Sequence, residues 1–184
     1  MLQGLPPLLN SATRVLILGS FPSVKSLQLQ QYYAHPQNQL WRLIFNAKSA
    51  DGPRKYCTSS YEIKSKQLLE MGIGLWDVYA ACERVGSLDS AIQHAQLNDL
   101  SSLRQRCPQL RAIAHNGGES YKHAKAVDTL LNRANHGPDS ANHSPDPRTP
   151  IEVFKLPSSS PANASWSFER KLQVWQSVLE KYAP

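Results

Sequence analysis

Short runs of aliphatic residues alternate along the chain with longer segments in which apolar residues recur every three or four positions. The short runs cover residues 14–19, 110–115 and 151–156, with a weaker candidate at 73–78. They are rich in β-branched and aliphatic side chains and are stopped by glycine, asparagine or proline, which is typical of strands buried on both faces. The pattern therefore predicts three strands and a weaker fourth.

The longer segments have the apolar spacing of helices that cover a core with one face. They cover residues 38–47, 61–71, 97–106, 120–133 and 167–182. Strands that alternate with helices predict an α/β fold, a three-layer α/β/α sandwich around a short, mainly parallel sheet. Ligands of such sheets bind at the carboxyl ends of the strands. We therefore expect the turns after Gly19, His115 and Leu156 to converge on one site.

The length of 184 residues fits a single domain that spans residues 1–184. Residues 132–150 interrupt the pattern, because they contain many turn-forming residues and almost nothing that could be buried. This composition predicts a flexible surface insertion within the domain.

The composition narrows the class of protein further. The formal net charge of +6 suggests attraction to a polyanion without locating the charge. The cysteines are Cys57, Cys82 and Cys107, an odd number without Cys-x-x-Cys spacing, so neither a disulfide framework nor a zinc knuckle is indicated. The chain shows no export signal and no apolar run long enough to span a membrane. We expect an intracellular, cytoplasmic monomer.

The turn after the first strand can be compared with a phosphate-binding loop. Gly19, Lys25 and Ser26 fall in register with G-x-x-x-x-G-K-[ST]. Val24 replaces the second glycine, however, and Pro22 removes a backbone N–H that such a loop would point at phosphate. The comparison therefore disfavours a nucleotide triphosphatase.

Two further segments allow a structural and a functional interpretation. Tyr33 and Asn38 precede a helix, where Asn38 could cap the helix and Tyr33 could simply pack. The proline-stiffened segment 156–164 could be an ordinary loop before a helix capped by Ser167. Its free N–H and hydroxyl groups could equally grip phosphates and enter a DNA groove.

Six segments together resemble the uracil-DNA glycosylase superfamily, most closely its hypoxanthine-DNA glycosylase branch. They are Gly19-Ser20-Phe21-Pro22, Tyr33-Ala34-His35-Pro36-Gln37-Asn38-Gln39-Leu40-Trp41, Leu75-Trp76-Asp77-Val78, Cys82-Glu83-Arg84-Val85-Gly86-Ser87-Leu88-Asp89, Asn116-Gly117-Gly118-Glu119-Ser120-Tyr121 and Leu156-Pro157-Ser158-Ser159-Ser160-Pro161. The resemblance runs from Arg14 to about Tyr182, apart from the insertion. It implies a glycosylase fold and the repair of deaminated bases in double-stranded DNA.

The first of these segments departs from the mismatch-specific uracil glycosylases. Those enzymes have G-x-N-P-G, with a catalytic asparagine before the proline. In this chain Phe21 stands where they have the asparagine, and Ser23 stands where they have the final glycine. The resemblance to the hypoxanthine branch implies that Asn38 is the catalytic residue instead. Hypoxanthine is the implied target, with uracil as the alternative substrate. A non-catalytic nucleic-acid-binding module of the same fold is the alternative outside enzymes.

The resemblance also implies roles for the other segments. The base pocket would consist of Gly19, Ser20, Phe21, Pro22, Tyr33 and Asn116. Tyr33 would stack on the flipped base, while backbone groups at Ser20 and Phe21, or the Asn116 side chain, would bind its edge. The DNA loop would grip phosphates through Ser158, Ser159 and Ser160 and insert Pro161, Ala162 or Asn163 into the base stack.

The remaining charged candidates stay open. Asp77 and Asp89 could act on water or cap helices, and Lys25, Arg84 and Lys171 could contact phosphates or be ordinary solvated charges. The histidines and cysteines lack the spacing of a metal site. The sequence thus predicts a glycosylase that needs neither a metal nor a cofactor, and that does not cleave the strand through a lysine Schiff base.

Overall fold

A computed structural model describes residues 1–48, 59–133 and 149–183. Cys57 and residues 134–148 of the expected insertion lie outside the described residues. The strands are β1 (Leu2–Gln3), β2 (Val15–Gly19), β3 (Ile73–Asp77), β4 (Tyr79–Glu83), β5 (Gln93–Leu97), β6 (Ala112–Asn116) and β7 (Glu152–Leu156). The helices are α1 (Val24–Leu29), α2 (Leu40–Ala47), α3 (Tyr61–Glu70), α4 (Leu103–Arg106), α5 (Gly118–Tyr121), α6 (Ala124–Arg133) and α7 (Phe168–Tyr182).

A parallel sheet in the order β3-β2-β6-β7 forms the centre of the fold. It contains the three predicted strands and the weaker candidate, which is β3. The chain runs from β2 to β3 on one side and returns to β6 on the other side of β2. The strand order therefore reverses at β2, and such a switch point opens a crevice at the carboxyl ends of the strands.

The alternation of side chains along β2 divides the core into two layers. Val15 and Ile17 pack in one hydrophobic cluster with residues of α2, α3 and α7. Leu16 and Leu18 pack in a second cluster with Leu103 of α4 and Val127 of α6. All five residues of β2 are buried, as expected for a strand covered on both faces. The predicted three-layer α/β/α arrangement is confirmed.

A second, antiparallel sheet in the order β1-β4-β5 was not predicted. Its strand β5 ends at Leu97, where a helix was predicted to begin, and of the helix predicted for residues 97–106 only α4 forms. All five residues of β5 are exposed, so the strand shows no alternation of buried and exposed positions. It is held by backbone pairing with β4, which the hydrophobic pattern does not report.

Several helix boundaries differ from the predictions. The helix expected at 120–133 is divided into α5 and α6, and α1 was not predicted although Ser23 caps it by accepting the Ser26 N–H. Ser167 caps α7 as expected, because its side chain accepts the Arg170 N–H. Among the helices in the described residues, none is long and apolar enough to cross a membrane.

Candidate active site

A cleft of about 670 Å³ lies at the carboxyl edge of the parallel sheet. Its walls come from the turns after β2, β6 and β7, from the end of β3 and from the segment before α2. The predicted site residues that line it are Gly19, Ser20, Phe21, Pro22, Tyr33, Asn38, Asn116, Ser158, Ser159, Ser160 and Asn163. Pro161 lies outside the lining. The expected convergence of the three turns on one site is confirmed.

Gly19 shapes the floor of the cleft by having no side chain. A Cβ atom built on Gly19 would lie 2.3 Å from Oδ1 of Asp77 and 2.8 Å from the hydroxyl of Tyr33. Asp77 is the residue paired with Gly19 across β2 and β3. The close approach of these two polar groups therefore requires glycine at position 19.

Tyr33 has a backbone φ of 53°, in the left-handed region that non-glycine residues rarely adopt. Such a conformation costs about 1–3 kcal/mol and persists where the surrounding structure enforces it. The Tyr33 hydroxyl accepts a hydrogen bond of 3.2 Å from Nδ2 of Asn116. Burial, reinforced by the nearby Asp77, raises the pKa of Tyr33, so its hydroxyl stays protonated at neutral pH.

Asn116, at the end of β6, is committed to contacts within the protein. Its Oδ1 accepts the Ser159 N–H at 2.8 Å, and its Nδ2 donates to the Ser159 Oγ at 2.8 Å and to Tyr33. The side chain was expected as one possible reader of the base edge. In the structure the side chain joins the loop after β7 to Tyr33.

The loop after β7 is held by internal hydrogen bonds. Ser159 is fully buried, and its N–H, hydroxyl and carbonyl are all bonded, so it anchors the loop rather than presenting a group to phosphate. Asn163 donates to the Ser158 carbonyl at 3.2 Å and is half-buried. Pro161 and Ala162 are exposed at the tip. The exposed tip of the loop is therefore Pro161-Ala162.

Asn38 both lines the cleft and stabilises the start of α2. Its Oδ1 accepts the Leu40 N–H at 3.0 Å, and the helix begins at Leu40 with Gln39 as the N-cap residue. Asn38 was predicted as the N-cap or a first-turn residue, whereas it lies one residue before the N-cap and still accepts a helix N–H through its side chain. Because only Oδ1 makes this bond, capping is compatible with a role for the side-chain amide in the cleft.

Gln39 links the Asn38 segment to the loop after β7 and to α7. Its N–H donates to the Ser159 carbonyl at 3.0 Å, and its Oε1 accepts from Nζ of Lys171 at 2.9 Å. Lys171 is 1% exposed, and burial lowers its pKa. Lys171 is therefore neither a solvated charge nor a phosphate contact, and it holds Gln39 from behind.

Asp77 contributes a buried carboxyl group to the cleft. The residue is 3% exposed, and its Oδ2 has no hydrogen-bond partner within the described part of the chain. Burial raises the pKa of Asp77 to about 7, and the nearby Asp89 adds to this, while Arg84 lowers it. The carboxyl group therefore changes charge near neutral pH.

Asp89 and Arg84 support the turn after β2. Asp89, in a 3₁₀ turn at Asp89–Ala91, accepts a hydrogen bond of 2.6 Å from the Ser20 hydroxyl. Arg84 donates to the Pro22 carbonyl and lies over the Phe21 ring, with its guanidinium carbon 5.1 Å from the ring centroid. Arg84 thus holds the turn in place, while Lys25 is exposed as expected of a solvated charge.

The sequence analysis missed several cleft residues, among them Lys155 and Trp166. Lys155, on β7, is exposed and places a cation at the cleft. Trp166 lines the cleft, and the guanidinium of Arg170 stacks on it at 4.2 Å from the ring centroid. The position of Lys155 next to the end of β7 could have suggested it, because ligands of parallel sheets bind at the carboxyl ends of the strands. Trp166 follows a loop without periodicity, so no sequence signal pointed to it.

The cleft combines an aromatic side chain, an amide and a protonatable carboxyl group beside a loop with an exposed tip. In the described ranges, no group of three or more His, Cys, Asp or Glu side chains could hold a metal ion. The groups present can stack on a planar ring, exchange hydrogen bonds with its edge and position a water molecule. These are the requirements for binding and releasing a nucleobase.

Comparison with known proteins gives concordant results. The profile of the "Uracil DNA glycosylase superfamily" matches residues 6–179. A protein of Methanosarcina acetivorans named "Hypoxanthine DNA glycosylase" is 37% identical over 177 residues, which is 96% of this chain and 97% of that protein. A protein of the same name from Methanosarcina barkeri is 36% identical over 118 residues, which is 64% of this chain and 72% of that protein.

A solved structure agrees with the fold. The solution NMR structure of a candidate uracil DNA glycosylase from Methanosarcina acetivorans superposes with a TM-score of 0.76 and 36% sequence identity. The match covers 97% of this chain and 96% of that one. The family expected from the sequence is therefore confirmed, and the chain belongs to the uracil DNA glycosylase superfamily.

Proposed function

We propose that this protein is a monofunctional DNA glycosylase that hydrolyses the N-glycosidic bond of a flipped deaminated base, preferentially hypoxanthine. The observation that carries the proposal is the placement of Asn38 and Tyr33 in one cleft at the carboxyl edge of the sheet. The relatives named for hypoxanthine support this choice of base, because one of them aligns along almost the whole chain.

The flipped base is held by stacking and by hydrogen bonds to its edge. Tyr33 supplies the aromatic surface, and its enforced backbone conformation keeps the ring in place without an ordering cost on binding. The carbonyls of Gly19 and Ser20 accept the N–H groups of Val78 and Tyr79, which fixes the backbone of the turn beside the base. The pocket is thus rigid before DNA arrives.

Hydrolysis requires stabilisation of positive charge on the sugar and negative charge on the departing base. The C1′–N9 bond breaks with its electron pair on the base, and water forms the new C1′–O bond. The proton that water loses ends on the base, so the products are neutral hypoxanthine and an abasic sugar. Asn38 cannot accept this proton near neutral pH, so it acts by orienting water or by donating to the base.

The loop of residues 157–163 binds the DNA beside the cleft. Pro161-Ala162 at its tip enters the gap that the flipped nucleotide leaves, and Lys155 lies where a phosphate can be bound. The anchoring of the loop through Ser159 and Asn116 joins DNA binding to the base pocket. Duplex DNA with a deaminated base is the proposed partner.

An excision assay tests the proposed function. The protein in excess is incubated with duplexes that carry inosine, uracil or xanthine, and abasic sites are revealed with alkali. We expect inosine to be excised at least tenfold faster than uracil. Faster excision of uracil would overturn the hypoxanthine preference. Failure to excise any of the three bases by a folded protein would overturn the glycosylase assignment.

A further inference from the structure

Asp77 lies at the floor of the cleft, at the end of β3, and takes no part in the water chemistry assigned to Asn38. The carboxyl group packs against the backbone of Gly19, close to the Tyr33 hydroxyl. The residue is 97% buried, yet Oδ2 has no partner in the described ranges. An unpartnered carboxylate oxygen in a buried site is costly, which favours the neutral form of the group. The residue also lines the cleft, where a ligand can contact it.

The groups around Asp77 come from several elements of the fold. Tyr32 and Tyr33 precede α2, and burial raises the pKa of both, so they are neutral. Asp89 lies in the 3₁₀ turn after β4 and adds a negative charge. Arg84 also follows β4 and adds a positive charge, while its guanidinium contacts Pro22 and Phe21. Burial and Asp89 outweigh Arg84, which raises the pKa of Asp77 to about 7.

The charge on this carboxyl group matters because negative charge develops on the departing base. An ionised carboxylate at the pocket floor would repel that charge, whereas a neutral carboxyl group can donate a hydrogen bond to it. Hypoxanthine offers acceptors for such a bond in its carbonyl oxygen and its unprotonated ring nitrogens. A neutral acid therefore fits both the bound base and the leaving group.

We propose that Asp77 is a catalytic residue that binds the flipped base in its neutral form, donating a hydrogen bond that strengthens as the glycosidic bond breaks. The inference rests on the proposed function, and it assigns the carboxyl group a role opposite to that of a general base. A general base must be ionised, whereas this hydrogen-bond donor must be protonated. The two roles predict opposite dependence of activity on pH.

The test compares single-turnover excision of inosine by the wild type, Asp77→Asn and Asp77→Leu between pH 6 and 8. The wild-type rate should fall about tenfold over this range, as the neutral fraction of a group with a pKa of about 7 falls. Asp77→Asn keeps a donor without a charge, so its rate should stay within about tenfold of the wild type at pH 6 and be independent of pH. Asp77→Leu has no donor, and its rate should be about 100- to 1,000-fold lower throughout.

Asp128→Asn is the matched control, because Asp128 is exposed on α6 outside the cleft and should retain the wild-type profile. All variants act on the same DNA, so ionisation of the substrate cancels in the comparison. A carbon-13 NMR titration of the Asp77 carboxyl group, assigned by its loss in Asp77→Asn, should show a midpoint near neutral pH.

Three results would overturn the assignment of Asp77. They are an excision rate that rises with pH in the wild type and is lost in Asp77→Asn, a wild-type profile that Asp77→Asn leaves unchanged, and a carboxyl group already ionised at pH 6. Each can occur while the wild type releases hypoxanthine, so the proposed function would stand. A folded wild type that releases no hypoxanthine at any pH would overturn the proposed function itself.

Discussion

Asn116 at the end of β6 and Ser159 in the loop after β7 are joined by two hydrogen bonds of 2.8 Å. The Asn116 Nδ2 donates to the Ser159 hydroxyl, and the Asn116 Oδ1 accepts the Ser159 N–H. The same amide group reaches the Tyr33 hydroxyl. The loop that would enter DNA is thereby tied to the aromatic residue that would stack on the base. Gln39 adds a second tie, from the Ser159 carbonyl to the start of α2 beside Asn38.

Removing the Asn116 side chain should loosen the loop more than removing the Ser159 hydroxyl. Asn116→Ala leaves the buried Ser159 N–H and hydroxyl unpaired and should lower the free energy of unfolding by about 1–3 kcal/mol. Ser159→Ala keeps the N–H bond to Oδ1 and should cost about 1 kcal/mol. Urea unfolding measures both, and binding to a duplex with an abasic-site analogue should weaken more in Asn116→Ala. Equal effects of the two substitutions would argue against this anchor.

Two substitutions of Asn38 distinguish its capping role from its active-site role. Asn38→Asp keeps an oxygen for the Leu40 N–H and should be as stable as the wild type, whereas Asn38→Ala should lose about 1 kcal/mol. Both variants lack the amide NH₂, and both should excise inosine at least 100-fold more slowly while binding DNA nearly normally. Excision by Asn38→Ala at the wild-type rate would remove Asn38 from the reaction.

Gly19 should not tolerate even a methyl group. In Gly19→Ala the new Cβ would force Asp77 and Tyr33 apart, which should cost about 1–3 kcal/mol of stability and reduce excision at least 100-fold. Gly118→Ala is the steric control, because a Cβ at Gly118 meets no described atom within 4 Å. The free energy of unfolding of this variant should equal that of the wild type. Thermal unfolding and the excision assay measure the pair. A fully active Gly19→Ala would contradict the described geometry of the cleft floor.

Asp77 should make the protein less stable as pH rises from about 4 to 7. Its folded-state pKa of about 7 lies above that of the unfolded chain, so the folded state holds the proton more tightly and its stabilisation is lost over this range. The loss should approach about 4 kcal/mol, because each pKa unit corresponds to about 1.4 kcal/mol. Urea unfolding at several pH values should show this slope in the wild type and not in Asp77→Asn.

His115 should make the protein less stable as pH falls, which is opposite to the pH dependence expected from Asp77. Burial lowers its pKa to about 4, below the value of the unfolded chain, and its Nδ1 is 2.7 Å from the Ser120 hydroxyl. The unfolded state therefore binds a proton first, and stability is lost as pH falls from about 6.5 to 4, by up to about 3 kcal/mol. His115→Asn should flatten the acid side of the stability profile. An unchanged acid limb would show that His115 is not the group responsible.

The sequence predicted the parts of the fold that depend on local patterns. The aliphatic runs of β2 and β6 are buried on both faces, so their composition alone identified them. Strand β7 lies at the sheet edge and is only partly buried, although its apolar residues still identified it as a strand. The exposed strand β5 depends on backbone pairing with β4, and its side chains are all exposed, so their pattern does not indicate a strand. The convergence of the strand ends followed from the parallel order and needed no contact information.

The site was predicted less completely, because several roles depend on contacts between distant residues. Asn116 is occupied by Ser159, 43 positions later, so its sequence position at a strand end could not show that it anchors a loop. The sequence around Lys171 is compatible with a surface charge, and only the packing of α7 brings its Nζ into contact with Oε1 of Gln39. The environment of Asp77 depends on Gly19 and Tyr33, which lie on other elements.

The most direct test of the account is to identify what the protein releases from a duplex that carries a single inosine. We predict free hypoxanthine, detected by mass spectrometry, and a DNA strand that stays intact until alkali cleaves it at the abasic site. Release of the inosine nucleoside or nucleotide, strand breakage before alkali, or no release of hypoxanthine would contradict the account.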